Sequence, residues 1–170
     1  MKLNVVVLSR EAAESLNVEG FPKNVAVISF CDPKSKRTPE DYFPLDYTGI
    51  CNRVFRVPIH DIDIEILKDY GLSFETYFPE ADELAKFIIA AVREGLPIIC
   101  QCEYGQSRSA ACAAAIKEYF EKSGIDIFAD YRYYPNQLIF NKLLCALRKR
   151  GENAYYEKMN LPSSSFKLHI

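Results

Sequence analysis

Short apolar runs rich in Val and Ile alternate along this chain with segments whose apolar residues recur at helical spacing, and that alternation constrains the fold more than any other feature. Leu3 to Leu8, Asn24 to Phe30, Arg53 to Ile59 and Pro97 to Cys102 each read as a strand. Pro58 puts the third of these at its end or at a sheet edge, because proline has no N–H for the ladder. Arg10 to Leu16 reads as one or two helical turns. Pro79 to Glu94 carries Leu84, Phe87, Ile88, Ala91 and Val92 at helical spacing, with Pro79 at the start and Gly95 at the stop. Ser107 to Lys122 reads as a helix ended by Ser123-Gly124, and Asn136 to Lys149 as a last helix with Ile139, Leu143, Ala146 and Leu147 on one face. This order predicts an α/β sandwich of three layers, with a central, mostly parallel sheet of four to five strands flanked by helices.

With 170 residues, 49% of them hydrophobic and 26% charged, the chain suits one folded domain with an ample core. We expect that domain over residues 1–150, followed by a C-terminal tail, 151–170, that contains Ser163-Ser164-Ser165 and is partly disordered. A formal net charge of −2 supplies no global field for nucleic acid or an anionic membrane, so any anion must be held by a local site. The N-terminal apolar run is too short for a signal peptide, and no segment approaches the ~18 apolar residues of a membrane span, which predicts a cytoplasmic protein. Six cysteines in a chain of this size read as reduced thiols. Cys100 and Cys102 are one residue apart and the only histidines are His60 and His169, a pattern unlike a zinc site; no metal or other cofactor is expected.

The chemistry concentrates where the strand ending at Cys102 meets the helix beginning near Ser107. A tight loop there turns successive backbone N–H groups into a concave nest, and the helix adds its own free N–H groups and the positive end of its dipole. Arg108 offers a planar fork that can grip two oxygens of a phosphate. Gly105 lets the backbone fold tightly and approach a ligand without a Cβ clash. The same field favours thiolate over thiol at Cys102, which makes its sulfur a nucleophile. The alanines at 110, 111, 113, 114 and 115 read as helix formers at a close packing contact.

The run Cys102-Glu103-Tyr104-Gly105-Gln106-Ser107-Arg108, followed by Ser109, resembles the C-x5-R-[S/T] signature of the protein tyrosine phosphatase superfamily, and is most similar to the small dual-specificity-like phosphatases of bacteria. Tyr134-Pro135-Asn136 is similar to a Pro-Asn element of these enzymes, and Ser29-Phe30-Cys31-Asp32-Pro33 resembles their loop after a strand. The resemblance implies a phosphatase sandwich and a metal-independent hydrolysis in which Cys102 forms a phosphocysteine. Glu103 to Arg108 would bind the phosphate, Ser109 would assist departure of the thiolate, and an upstream aspartate would protonate the leaving oxygen. One position departs from the pattern: the residue before the nucleophile is usually histidine and here is Gln101, whose amide hydrogen-bonds but does not titrate.

The general acid is expected just past the third strand, where His60-Asp61-Ile62-Asp63 offers two carboxylates, Asp61 ranked ahead of Asp63 because it stands at the strand's mouth. Either can also be a solvated turn former. His60 reads as structural, Lys34 to Arg37 as a solvated basic turn, and Cys31 and Cys100 as core or loop thiols that would protect Cys102 on oxidation only if they lie close to it. Tyr104, Tyr131, Tyr133 and Tyr134 either wall a pocket for a phosphoaryl group or are core or rim residues.

Three functions remain open on the sequence. The first is hydrolysis of a phosphate monoester, on Tyr, Ser or Thr of a phosphorylated protein or on a small molecule such as an inositol phosphate. The second is a phosphate-binding module without turnover, for which Gln101 is the best support. A thiol redox or sulfur-transfer enzyme is the third, because rhodanese-like proteins and arsenate reductases also place a cysteine in an anion-binding loop.

Overall fold

The computed structural model describes residues 2–16 and 20–158, with side chains described as far as Glu152. Four strands, β1 (Val5–Leu8), β2 (Ala26–Cys31), β3 (Val54–Pro58) and β4 (Ile98–Gln101), form one sheet in the order β1-β4-β2-β3, every pair parallel. β2 and β4 lie inside the sheet and all their residues are buried, which is why they are continuous apolar runs rather than alternating ones. β3 is an edge strand, and its Pro58 closes the pairing opposite Cys31. The only polar residues of the two inner strands, Ser29 and Gln101, are neighbours in the β2–β4 register.

Helices follow as α1 (Arg10–Ser15), a 3-10 helix (Ile64–Tyr70), α2 (Ala81–Arg93), α3 (Arg108–Glu121), α4 (Ile125–Ala129) and α5 (Gln137–Lys158). Alternation along the strands divides the core. Ala26, Ile28, Phe30, Ile98 and Cys100 face the large cluster built with α2, α3 and α5, while Val25, Val27 and Ile99 face a smaller one with Phe21 and Tyr47. These are the layers expected from the sequence, with the sheet in the middle. Every residue of α3 from Arg108 to Ile116 is buried, and its alanines let it lie between the sheet and α5. Burial of each large apolar side chain here contributes about 1.5–3 kcal/mol, so the strand ends and the start of α3 rest on a rigid base.

The 3-10 helix was not anticipated from the sequence; it ends at Gly71, whose φ of 68° carries the chain out of the turn. The last helix runs past Gly151 to Lys158 instead of stopping at Lys149. Glycine is tolerated there because a Cβ on Gly151 would lie 2.0 Å from the Tyr119 hydroxyl, so its absence lets α5 hug α3. The rest of the expected tail, 159–170, lies outside the described residues. Among the described residues no helix is long and apolar enough to cross a membrane.

Candidate active site

Because all four strands are parallel, their carboxyl ends meet at one edge of the sheet, the edge at which open α/β sheets hold ligands. Ser9 follows β1, Asp32 follows β2, His60 and Asp61 lie just beyond β3, and Cys102 follows β4. Residues far apart in sequence are thereby delivered to one place.

The loop from Cys102 to Arg108 is pinned on both flanks through its backbone. On the β1 side, the Cys102 N–H donates to Leu8 O (3.3 Å) and the Arg10 N–H to Glu103 O (3.0 Å). On the other side, the Tyr134 N–H donates to Gln106 O (2.9 Å) and the Asn136 N–H to Ser107 O (3.4 Å). The carbonyl oxygens of Cys102, Glu103, Gln106 and Ser107 are thus claimed by the protein, whereas the N–H groups of Glu103 to Ser107 meet no acceptor among the described residues. That asymmetry is the one an anion nest requires, and the amino end of α3 adds its dipole to it. Gly105 has a φ of 66°, and a Cβ on it would stand 2.6 Å from the Ser9 nitrogen. The positive φ is the tight turn expected from the sequence, and the close approach of the β1–α1 junction is a further demand for glycine that the sequence did not suggest.

Cys102 is buried, with its Sγ 2.9 Å from the Ser109 hydroxyl. Gln101 is buried beside it and fully engaged. Its Oε1 accepts from the hydroxyls of Ser29 (2.8 Å) and Tyr47 (3.2 Å), and its Nε2 donates to the Cys102 carbonyl (2.9 Å). A neutral amide thus holds the backbone of Cys102.

Arg108 is 4% exposed. Its Nη1 donates to Asp32 Oδ1 (2.5 Å) and to Ile59 O (2.9 Å), while its buried Nε has no hydrogen-bond partner and lies 4.0 Å from Asp61 Oδ2. Burial disfavours the charged guanidinium, but the Asp32 pair, with Cys102 and Asp61 nearby, outweighs it and raises its pKa.

Asp61 reaches the loop: its Oδ1 accepts from Ser107 Oγ (2.7 Å) and Asn136 Nδ2 (2.9 Å). Asp63 does not, and stands at the start of the 3-10 helix with no side-chain hydrogen bond there. Asn136 is buried and joins three elements, since Nδ2 also donates to Ile62 O (3.1 Å) and Oδ1 caps α5 at the Ile139 N–H (3.0 Å). His60 keeps its structural reading. Its carbonyl accepts from Tyr77 Oη (2.6 Å), its ring lies against Tyr70, and burial lowers its pKa.

Sequence reasoning passed over four residues: Asp32 as partner of Arg108, Asn136 as the link between Asp61 and the loop from Cys102 to Arg108, and Ser29 and Tyr47 as partners of Gln101. Asp32 and Asn136 lay in motifs that resembled family elements, without a role attached. Tyr47 carried no signal, because the contact depends on how a long loop returns. Arg37 is not a free cation: it donates to Asp69 O (3.0 Å) and stacks 4.1 Å over the Tyr70 ring. All six thiols are free, and the Cys31 sulfur faces the Val57 carbonyl at 3.8 Å. Among the described residues no group of three or more His, Cys, Asp and Glu is placed to hold a metal ion.

No protein-family model and no curated protein matches this sequence. Solved structures match its fold. Human DUSP28 is 18% identical over 89% of this chain and 96% of its own, with a TM-score of 0.50. PTPMT1 in complex with PI(5)P is 13% identical over 89% and 94%, with a TM-score of 0.52. A leucine-rich-repeat and phosphatase-domain protein of Entamoeba histolytica is 14% identical over 95% and 93%, with a TM-score of 0.50. The chain therefore has the fold of the dual-specificity phosphatases, the sandwich that the loop at Cys102 implied.

Proposed function

We propose that the chain is a cysteine-dependent phosphatase that hydrolyses phosphate monoesters without a metal, in the cytoplasm. One observation carries the reading: the loop that follows Cys102 leaves the N–H groups of Glu103 to Ser107 without acceptors among the described residues, and the buried Arg108 that closes it has an Nε without a partner. A phosphate dianion supplies the acceptors those groups lack. Asp32 holds one end of the guanidinium and leaves the other for phosphate oxygens.

In the reaction so derived, the Cys102 thiolate attacks phosphorus in line with the ester oxygen, a phosphorus–sulfur bond forms and the phosphorus–oxygen bond breaks. Asp61, through the Oδ2 left free by Ser107 and Asn136, gives its proton to the departing oxygen. Water then attacks the phosphocysteine, Asp61 takes back a proton, and the Ser109 hydroxyl donates to the departing thiolate. Loop N–H groups and Arg108 hold the equatorial oxygens throughout.

PI(5)P bound to one fold neighbour keeps an inositol phosphate as a second reading. Against it, the side chains between Cys102 and Arg108 include Glu103 and no Lys or Arg, so additional phosphates would find no cation in the loop. A single phosphate on a protein side chain suits the site better.

Incubation with p-nitrophenyl phosphate in EDTA tests the class. Turnover that persists with chelator and vanishes in Cys102→Ser supports it; phosphate binding without turnover by the intact chain would favour the binding module instead.

A further inference from the structure

A cleft of about 850 Å³ opens directly from the phosphate loop. Ser107, Asp61 and Asn136 line its catalytic end, and it continues between the 3-10 helix and the start of α5. Its lining mixes polar and apolar side chains in comparable measure, and three of the apolar or aromatic ones stand open to solvent: Ile64 is 60% exposed, Phe74 44% and Tyr134 73%. Its charge is of one sign. Asp61, Asp63 and Glu65 line it, with no Lys or Arg among the lining residues. Asp63 and Glu65 make no ion pair or side-chain hydrogen bond among the described residues. The cation beyond Phe74, Lys142, is committed to the carbonyls of Phe74 (2.7 Å) and Glu75 (3.3 Å).

We propose that this cleft is a peptide subsite, which receives the residues flanking the phosphorylated side chain and selects apolar and basic ones. The inference rests on the phosphatase reading of the loop. Charge decides the occupant. A lipid headgroup or a polyphosphorylated ring would bring anions against unpaired carboxylates, whereas an extended polypeptide with Arg or Lys beside apolar residues complements both the charge and the exposed Ile64, Phe74 and Tyr134. The volume is in the range that takes a ligand of several residues' size, more than a phosphate ester alone requires. A strand-like segment advances about 3.3 Å per residue, so a peptide anchored at Cys102 lays its next few residues along this wall.

The experiment compares kcat/KM for phosphotyrosyl peptides of one length, flanked on both sides by Arg and Leu or by Glu and Gly, with that for p-nitrophenyl phosphate and an inositol polyphosphate. At low salt the Arg-Leu peptide should be favoured about fivefold or more, the scale of exposed ion pairs to two carboxylates, and the preference should shrink at high salt. Glu65→Lys should reduce or reverse it, and Ile64→Ser should weaken the Leu contribution, with p-nitrophenyl phosphate turnover unchanged in both. Equal rates for the peptides in wild type, a preference untouched by Glu65→Lys, or faster turnover of the inositol polyphosphate would overturn the subsite while leaving the phosphatase reading in place. Failure to hydrolyse any of the esters would overturn both.

Discussion

The side-chain nitrogen of Gln101 donates to the carbonyl oxygen of Cys102 at 2.9 Å, so the residue before Cys102 fixes the backbone at the mouth of the loop. Its oxygen is held in turn by Ser29 and by Tyr47, whose hydroxyl burial keeps protonated far above its ordinary range. Gln101→Leu would strand two hydroxyls and a carbonyl in a dry site, at about 1–3 kcal/mol for each group left unpaired. We expect a clear fall in the urea midpoint and in activity. A midpoint within error of wild type would show that the network carries no stability.

Cys102→Ser should keep vanadate affinity and lose turnover, because the nest of N–H groups survives while the sulfur nucleophile does not. Arg108→Lys should lose both, since an ammonium cannot hold Asp32 and Ile59 on one side and phosphate on the other. Vanadate titration and kcat/KM separate the two outcomes, and an unchanged kcat/KM in Arg108→Lys would remove it from the site.

General acid catalysis contributes typically 10²–10⁴-fold and matters most when the leaving oxygen is poor. Asp61→Asn should therefore slow a tyrosyl or alkyl phosphate strongly and p-nitrophenyl phosphate much less. Asp63→Asn, which has no contact with the loop, should be mild on both. Rate profiles of the two variants with good and poor leaving groups decide; leaving-group dependence in Asp63→Asn alone would reverse the assignment.

Gly105→Ala and Gly71→Ala separate two kinds of glycine. Both have positive φ, but a Cβ at Gly71 meets nothing within 4 Å, whereas one at Gly105 overlaps the Ser9 backbone. Gly71→Ala should cost about 1 kcal/mol of left-handed strain. Gly105→Ala should cost more, about 2–3 kcal/mol, and weaken phosphate binding as the loop shifts. Equal thermal midpoints would refute the clash.

Burial pushes the Cys112 thiol well above its ordinary pKa, with neighbouring Cys100 adding to the effect, and burial also raises Cys31. A raised thiol pKa means less thiolate at neutral pH and reactivity that grows only as pH increases. In folded protein at pH 7, iodoacetate should label exposed Cys145 well before Cys31 or Cys112, and urea should abolish the difference. Peptide mapping that finds Cys112 labelled as fast as Cys145 would contradict this packing.

The strands, the long helices and the loop from Cys102 to Arg108 were legible because each is a local pattern: an apolar run, a helical period, a glycine and an arginine at fixed distances from a cysteine. Asp61 was legible by position, since a residue just past a parallel strand must stand at the carboxyl edge. What binds these parts together was not. Asp32 meets Arg108 across 76 residues of sequence, Asn136 meets Asp61 across 75, and Tyr47 meets Gln101 across 54. Local periodicity is blind to such pairs, because they arise only when β2 inserts between β4 and β3 and the segment after β2 folds back over the sheet. The cleft beyond Ser107 has the same origin. Its walls come from the 3-10 helix and the start of α5, whose carboxylates and exposed apolar side chains share one groove only when packing sets the two elements face to face.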